Sequence, residues 1–361
     1  GAGGTGTVKT YILKRLLLMM PTLVGITLLT YAIVRLAPGD PVAAMIRTQA
    51  GDINPRVFAK EADAIRERLG LQDYNIWGDD PDHIDLFEKV LNAFYGYGRW
   101  VWHMARGDFG ESMKFRTSEG SKSPGGLFLE RAHITIPLNV VASIIIFAIA
   151  IPVGLASARY RGKVFDRAST VGLLLLWSIP AILAGTLLIG FLGRGGIGLW
   201  WFPAFGLHSA GHENFGFVRW TLDLLWHVTL PVVCMVYGGL AYLAKLGRAS
   251  LLENLRADFV RTARAKGVPE RRVVYHHALR NSLIPMITVM VMMLPALIGG
   301  SVIVEKIFSI HGMGMLVVGA AQSRDLSVIM FGTLLYGTLT LAALLLADIL
   351  YAWADPRVRF E

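Results

Sequence analysis

Six stretches of this chain contain no Asp, Glu, Lys or Arg, and each is about as long as a bilayer is thick: 16–34, 134–158, 168–192, 224–244, 282–304 and 326–347. A hydrocarbon core of about 30 Å takes about 20 apolar residues at a helical rise of about 1.5 Å each. No water reaches the backbone there, so each amide and carbonyl must find its partner within the protein, which a helix supplies from itself. Such a chain is expected to be an all-α membrane protein with six transmembrane helices. Several of these runs carry an internal proline: Pro21, Pro137, Pro152, Pro180, Pro231 and Pro295. In water each would cost a helix interior about 3 kcal/mol, but neighbouring helices and hydroxyls satisfy the freed carbonyls in a membrane bundle.

The formal net charge of +9 is compatible with nucleic acid or with membrane-flanking cations, so the placement of the charges decides. They sit beside the apolar runs. Lys9, Lys14 and Arg15 precede or open the first. Arg159, Arg161, Lys163 and Arg167 follow the second against Asp166 alone, and the stretch after the fourth holds nine basic residues from Lys245 to Arg280 against Glu253, Asp258 and Glu270. The other connections are balanced. By the positive-inside rule both termini face the cytoplasm, and no nucleic-acid partner is expected. The single cysteine, Cys234, lies in an apolar run and reads as a small buried hydrophobe.

The one long connection, 36–131, lies outside on this topology as a small extracytoplasmic helical subdomain. Asn54 and Pro55 suit a helix start, Phe58, Ile65 and Leu69 recur on one face, and Gly70 suits its end. A second amphipathic stretch from about 84 to 104 carries Phe87, Phe94, Tyr95, Tyr97, Trp100 and Trp102, which suit the membrane surface or intraprotein packing better than substrate contact. Trp200, Trp201 and Phe202 read as interfacial anchors.

The most informative stretch is 258–285. Phe259, Val260 and Ala263 lie at helical spacing, Gly267 suits a left-handed helix end, and Pro269 with Glu270 suits the next first turn. Val273, Val274, His277 and Ala278 then repeat at i, i+4. This is an elbow of two short helices with one apolar face and a cationic rim. Such a face fits a groove on a soluble partner, or it packs on its own bundle while the rim meets anionic headgroups. The two readings weigh equally on these residues.

The run Asp258-Phe-Val-Arg-Thr-Ala-Arg-Ala-Lys-Gly267, with Glu270-Arg-Arg and His277-Ala-Leu-Arg-Asn281, resembles the cytoplasmic coupling region of ABC importer permeases, specifically the B-type subunit of the dipeptide, oligopeptide and nickel permease family. Arg35-Leu-Ala-Pro-Gly-Asp-Pro41, Arg106-Gly-Asp-Phe-Gly110 and Asp355-Pro-Arg357 agree with it, in the right order, from Tyr11 onward. The chain departs from the family where Arg261-Thr-Ala stands for Glu-Ala-Ala, where Ile284-Pro285 follows a longer spacing, and where acidic residues crowd 75–91. The resemblance implies the type I ABC importer transmembrane-domain fold. It implies as partners a second homologous permease, two ABC ATPase subunits holding ATP and Mg, and an extracytoplasmic substrate-binding protein that delivers peptides or similar small solutes. It also implies that Asp258, Phe259, Arg261, Thr262, Ala263, Arg264, Lys266, Gly267, Pro269 and Arg271 couple this chain to the ATPases. No cofactor and no catalytic residue is then expected in the chain itself. A self-contained secondary transporter or channel is the alternative, which would call for ionisable groups near the bilayer midplane.

The resulting map puts the cytoplasmic N-terminus at 1–10, its first residues resembling a processing remnant, and spans at 11–35, 132–158, 168–192, 224–246, 282–304 and 326–353. The extracytoplasmic subdomain takes 36–131, outer loops 193–223 and 305–325, coupling helices 247–281, and the cytoplasmic C-terminus 354–361. Ser178, Thr288, Gly299 and Ser301 are candidates for the translocation path. Gly312 and Gly314 are candidates for an outer gate, since glycine lets a backbone turn sharply. No phosphate-binding loop occurs, and His208, His212 and Glu213 form a weak metal look-alike on a Gly-rich loop.

Overall fold

The computed structural model describes residues 4–36, 42, 55–69, 71, 86–112 and 114–354. Asn54 and Gly70, the run 37–41, most of the acidic stretch 75–91 and the motif 355–357 lie outside the described residues. The described chain is helical, its one β-contact being an isolated bridge between Gly193 and Phe202. Four helices are long and apolar enough to cross a membrane: within α1 (Gly4–Leu36), α4 (Pro124–Arg159), α7 (Phe217–Asn254) and within α13 (Leu326–Ala354). Two bent pairs raise the number to six if each is one span: α5 (Val164–Ser178) with α6 (Ala181–Leu192), bent by 96°, and α9 (Glu270–Met292) with the stretch Leu294–Ile307, bent by 41°. That stretch divides into α10 (Leu294–Gly299) and α11 (Val302–Ile307), and α12 (Met313–Ser323) follows. The remaining helices are α2 (Pro55–Arg68), α3 (Leu86–Ala105) and α8 (Asp258–Ala265).

Two compact units are present, 1–132 with 316–341 and 133–315 with 342–361. In the first, α3 turns Tyr97 and Trp100 toward Tyr31 of α1, with ring centroids 5.7 and 6.0 Å away, and the Tyr97 hydroxyl lies 2.8 Å from Thr27 Oγ1. Ala62 and Leu69 join the same buried cluster. The aromatic stretch is therefore divided: Tyr97 and Trp100 pack within the protein, while Phe94, Tyr95 and Trp102 stay exposed. Arg106-Gly-Asp-Phe-Gly110 is an anchor. Gly107, at φ +78, closes α3 with the amide pair Gly107 to Met104 and Asp108 to His103 that marks a Schellman end. The Asp108 carboxylate then accepts the Gly110 amide at 3.1 Å, and Phe109 meets Phe331 edge-on at 4.8 Å. Beyond it Ser112 donates its hydroxyl to the buried Asp325 carboxylate at 2.6 Å.

In the second unit Leu138, Ala142, Ile146 and Ala150 recur every fourth residue on α4 and are buried in a cluster with Leu230, Cys234, Leu243 and Ala244 of α7. The two helices approach closely because the crossing is lined by glycine. A Cβ at Gly154 would lie 2.7 Å from the Ala244 carbonyl oxygen, and one at Gly239 2.6 Å from Ile146 Cδ1. Pro137, Pro152 and Pro231 stay inside continuous helices, whereas Pro180 stands at the 96° break. The carbonyls exposed there are taken by α7: Tyr237 donates its hydroxyl to Ile179 O at 2.9 Å, and Cys234 Sγ lies 3.7 Å from Ala181 O. Asn139 Nδ2 likewise donates to Leu297 O at 3.2 Å, near the end of α10.

Candidate functional site

The elbow between α7 and the apolar part of α9 is built in three steps. The α8 helix is eight residues long and ends in a second Schellman motif, with the Gly267 amide donating to Arg264 O at 2.9 Å and the Val268 amide to Ala263 O at 3.2 Å. Gly267 sits at φ +74, where L side chains are strained, although no neighbour would crowd a Cβ there. The chain then restarts as a helix at Glu270, and Arg264 closes the elbow by donating Nη2 and Nε to the two Glu270 oxygens at 2.7 and 3.0 Å. That bond holds the Glu270 carboxyl below its ordinary range, so the staple stays charged at neutral pH. Both partners are well exposed, so its contribution to stability is small and its role is to fix an angle.

The apolar face of the elbow is turned into its own bundle. Val260, Ala263, Val273 and Ala278 are buried with Ala158 of α4 and Leu251 of α7. Complete burial of a valine is worth about 1.5–3 kcal/mol, so Val260 and Val273 hold the elbow more firmly than the salt bridge does. Of the stripe expected at i, i+4, Val273, Val274 and Ala278 are buried, while the turn Val273–Ala278 is π-helical and leaves His277 half-buried.

What the elbow presents outward is charged and aromatic. Asp258, Phe259, Arg261, Thr262, Lys266, Gly267, Pro269 and Arg271 are exposed, as are Arg272 and Tyr275. Phe259 and Thr262 of α8 and Lys266 at its C-terminal cap line one ridge, while Arg271 and Arg272 lie in the first turn of the next helix. Of the ten coupling candidates only Ala263 is buried, and Arg264 is occupied with Glu270. The structure thus separates a socket from a knob within one motif.

Two supports were not among the candidates. Arg248 of α7 grips Asp166 at the start of α5 through Nε at 2.6 Å and Nη2 at 2.9 Å, and the Gly162 amide donates to the same carboxylate at 2.8 Å. The signal for this pair was Asp166 standing alone among Arg159, Arg161, Lys163 and Arg167. The second support is Glu305 of α11, 2 % exposed. Its carboxylate accepts the Met315 amide at 2.8 Å and the Thr135 hydroxyl at 3.2 Å, and Thr135 Oγ1 accepts the Met313 amide at 2.8 Å. Gly300, Gly312 and Gly314 wall this carboxylate closely enough that side chains there would collide with it.

The candidate path residues are dispersed over the helices. Ser178 is exposed beside the 96° break, and its hydroxyl donates back to Leu174 O at 2.8 Å; Thr288 does the same to Ile284 O at 3.1 Å. Each hydroxyl is satisfied within its own helix. Gly299 and Ser301 flank Gly300, which breaks α10 from α11 at φ +69. On the outer loop His208 and His212 stack at 4.6 Å, and His208 Nδ1 lies 3.1 Å from Asp223 Oδ2. Among the described residues no group of three or more His, Cys, Asp or Glu is arranged to hold a metal.

Residues 150–360, which include the whole elbow, match the family model described as "Binding-protein-dependent transport system inner membrane component". The chain is 34% identical over 350 residues to the oligopeptide transport system permease protein AppB of Bacillus subtilis, covering 97% of this chain and 99% of that one. It is 34% identical over 363 residues to the dipeptide transport system permease protein DppB of Escherichia coli K12, with 97% and 98% covered. It is 32% identical over 364 residues to the peptidoglycan transport system permease protein YejB of Agrobacterium fabrum, again with 97% and 98% covered.

Proposed function

Since the chain belongs to the family of binding-protein-dependent transport system inner membrane components, we propose that it is a permease subunit of an ATP-driven importer that carries peptides or related solutes. The observation that carries the coupling is the division of labour in the elbow. Its apolar face is spent on Ala158 and Leu251, so a push on the exposed ridge is delivered to α4 and α7 rather than absorbed by a loose loop. The ridge of Phe259, Thr262 and Lys266, with Arg261 and Arg271 beside it, suits a groove on a soluble ATPase. Two such ATPases, a second homologous permease and an extracytoplasmic binding protein complete the assembly. ATP and Mg belong to the ATPases. With the basic elbow and the 159–167 turn in the cytoplasm, both termini are cytoplasmic and the unit around α2 and α3 is outside.

The translocation path runs at the interface with the partner permease and draws on Ser178, Thr288, Gly299 and Ser301 beside the two broken spans, where helix direction changes most easily. The outer gate at Gly312 and Gly314 is a latch closed on Glu305. To test the assignment, the tagged chain is extracted from membranes of its native host, and the proteins copurifying with it are identified and quantified. A second multispanning permease and two ATPase equivalents are expected. Recovery of the chain alone, or only as a homo-oligomer, overturns the reading.

A further inference from the structure

A groove of about 60 Å³ opens between α5 and α7, beside the Arg248–Asp166 pair. Its apolar lining includes Leu173, Leu174 and Trp177, and its polar lining is Ser157, whose hydroxyl is paired with Ser169, together with Thr170, Lys245 and Arg248. The groove lies where the protein leaves the membrane. Lys245 is the first charged residue after the uncharged run 224–244, and Arg248 follows one turn later. Trp177 meets Tyr242 edge-on at 5.7 Å, an aromatic pair of the kind that collects near headgroups.

The polar lining is unbalanced. Lys245 is exposed and forms no hydrogen bond or ion pair with any described residue. Arg248 spends Nε and Nη2 on Asp166, leaving Nη1 unengaged among the described residues, and the Thr170 hydroxyl is likewise unengaged. The Asp166 carboxylate beside the groove is already met by Arg248 and the Gly162 amide, and no carboxylate lines the groove among the described residues. Arg161, Lys163 and Arg167 on the same turn add further positive charge. A cationic lining with a free hydroxyl beside apolar side chains is complementary to a molecule with an anionic head and a hydrocarbon tail. The volume suits a phosphate group, with the rest of the molecule in the bilayer.

We propose that this groove binds the phosphodiester headgroup of an anionic phospholipid, held by Lys245, Arg248 Nη1 and Thr170, with its first acyl carbons on Leu173, Leu174 and Trp177. The inference requires only that the chain spans a bilayer and stands independently of the importer reading. A lipid seated there touches α5 just before the 96° break and α7 just before the elbow.

The test uses the full chain in phosphatidylcholine vesicles containing increasing fractions of bromine-labelled phosphatidylglycerol or bromine-labelled phosphatidylcholine. The Trp177 signal is the difference between the parent and Trp177→Phe. One basic side chain near the surface is worth about fivefold in affinity for an anionic lipid. Half-quenching by the phosphatidylglycerol is therefore expected at an at least about fivefold lower fraction, and Lys245→Gln is expected to reduce the preference by about fivefold. Millimolar inorganic phosphate should leave the quenching unchanged. Equal quenching by the two lipids, or a preference untouched by Lys245→Gln, overturns the proposal. Relief of quenching by phosphate would make the groove a free-anion site, and a Trp177 that neither lipid quenches would mean that protein covers it; either also overturns it. No ATP or cargo enters these measurements, so they are read separately from transport.

Discussion

Arg248 and Asp166 are joined by two parallel hydrogen bonds, and Asp166 is 4 % exposed, so α7 and the start of α5 are linked through a carboxylate with little access to water and a partly exposed guanidinium. Removing one member of such a pair costs more than removing both, because the survivor is left charged, buried and short of partners. Arg248→Met should lower stability by about 3 kcal/mol, while the double variant with Asp166→Asn recovers part of it. Arg248→Lys should fall between, since an ammonium cannot reproduce the two-pronged fork. Thermal unfolding of the detergent-purified chain reads all of these; an Arg248→Met midpoint equal to that of the parent would refute the assignment.

At Gly267 the constraint is conformational, not steric. A β-branched residue at φ +74 is strained by about 1–2 kcal/mol although nothing occupies the space around it. Gly267→Val should therefore open the Schellman end of α8 and shift the ridge without unfolding the spans. In the reconstituted transporter, ATP hydrolysis should continue while substrate uptake falls by about tenfold or more, and Gly267→Asn should be milder because asparagine tolerates the left-handed region. Uptake at the parental rate in Gly267→Val would sink the coupling role.

The contrast between these two sites shows what was legible beforehand. The six apolar runs and the elbow declare themselves through local pattern: charge-free length in one case, and glycine, proline and amphipathic spacing in the other. Even there local pattern did not foresee the π-helical turn at 273–278, which buries Val273, Val274 and Ala278 and leaves His277 half-buried. The 168–192 run carried Pro180 as a visible breaker, yet Pro137, Pro152 and Pro231 stand in equally apolar runs and leave their helices continuous. Arg248–Asp166, Tyr237–Ile179 and Glu305–Met315 span 82, 58 and 10 residues. Pairings of this kind are decided by which helices become neighbours: the lone Asp166 among basic residues signals a paired carboxylate, but nothing local names Arg248, Ile179 or Met315 as the partner.

Tyr237 gives the third test. Its hydroxyl is the partner of the Ile179 carbonyl beside the 96° break, and in hydrocarbon no water would replace it. Tyr237→Phe should destabilise the protein by about 1–2 kcal/mol and make the break between α5 and α6 more mobile, increasing labelling of a cysteine placed at exposed Ser178 in a Cys234→Ala background. Unchanged labelling and unchanged stability together would show that the hydrogen bond is dispensable.

Glu305 and its glycine wall give the last test, in which two kinds of substitution should behave differently. The carboxylate accepts from the Met315 amide and from Thr135, and Gly312 lies so close that a methyl group there would overlap both Glu305 and Thr135 Oγ1. Glu305→Gln keeps the volume and one acceptor oxygen, so it should cost about 1–2 kcal/mol through the weakened amide bond and the added amide donors. Gly312→Ala must displace the carboxylate or the backbone, which puts it among overpacking changes at about 1–3 kcal/mol. If the strain comes from Glu305, pairing Gly312→Ala with Glu305→Ala should make room for the new methyl. The double variant should then unfold at a higher temperature than additivity of the single variants predicts. Strict additivity would mean that the new methyl is resisted by Thr135 Oγ1 and not by Glu305.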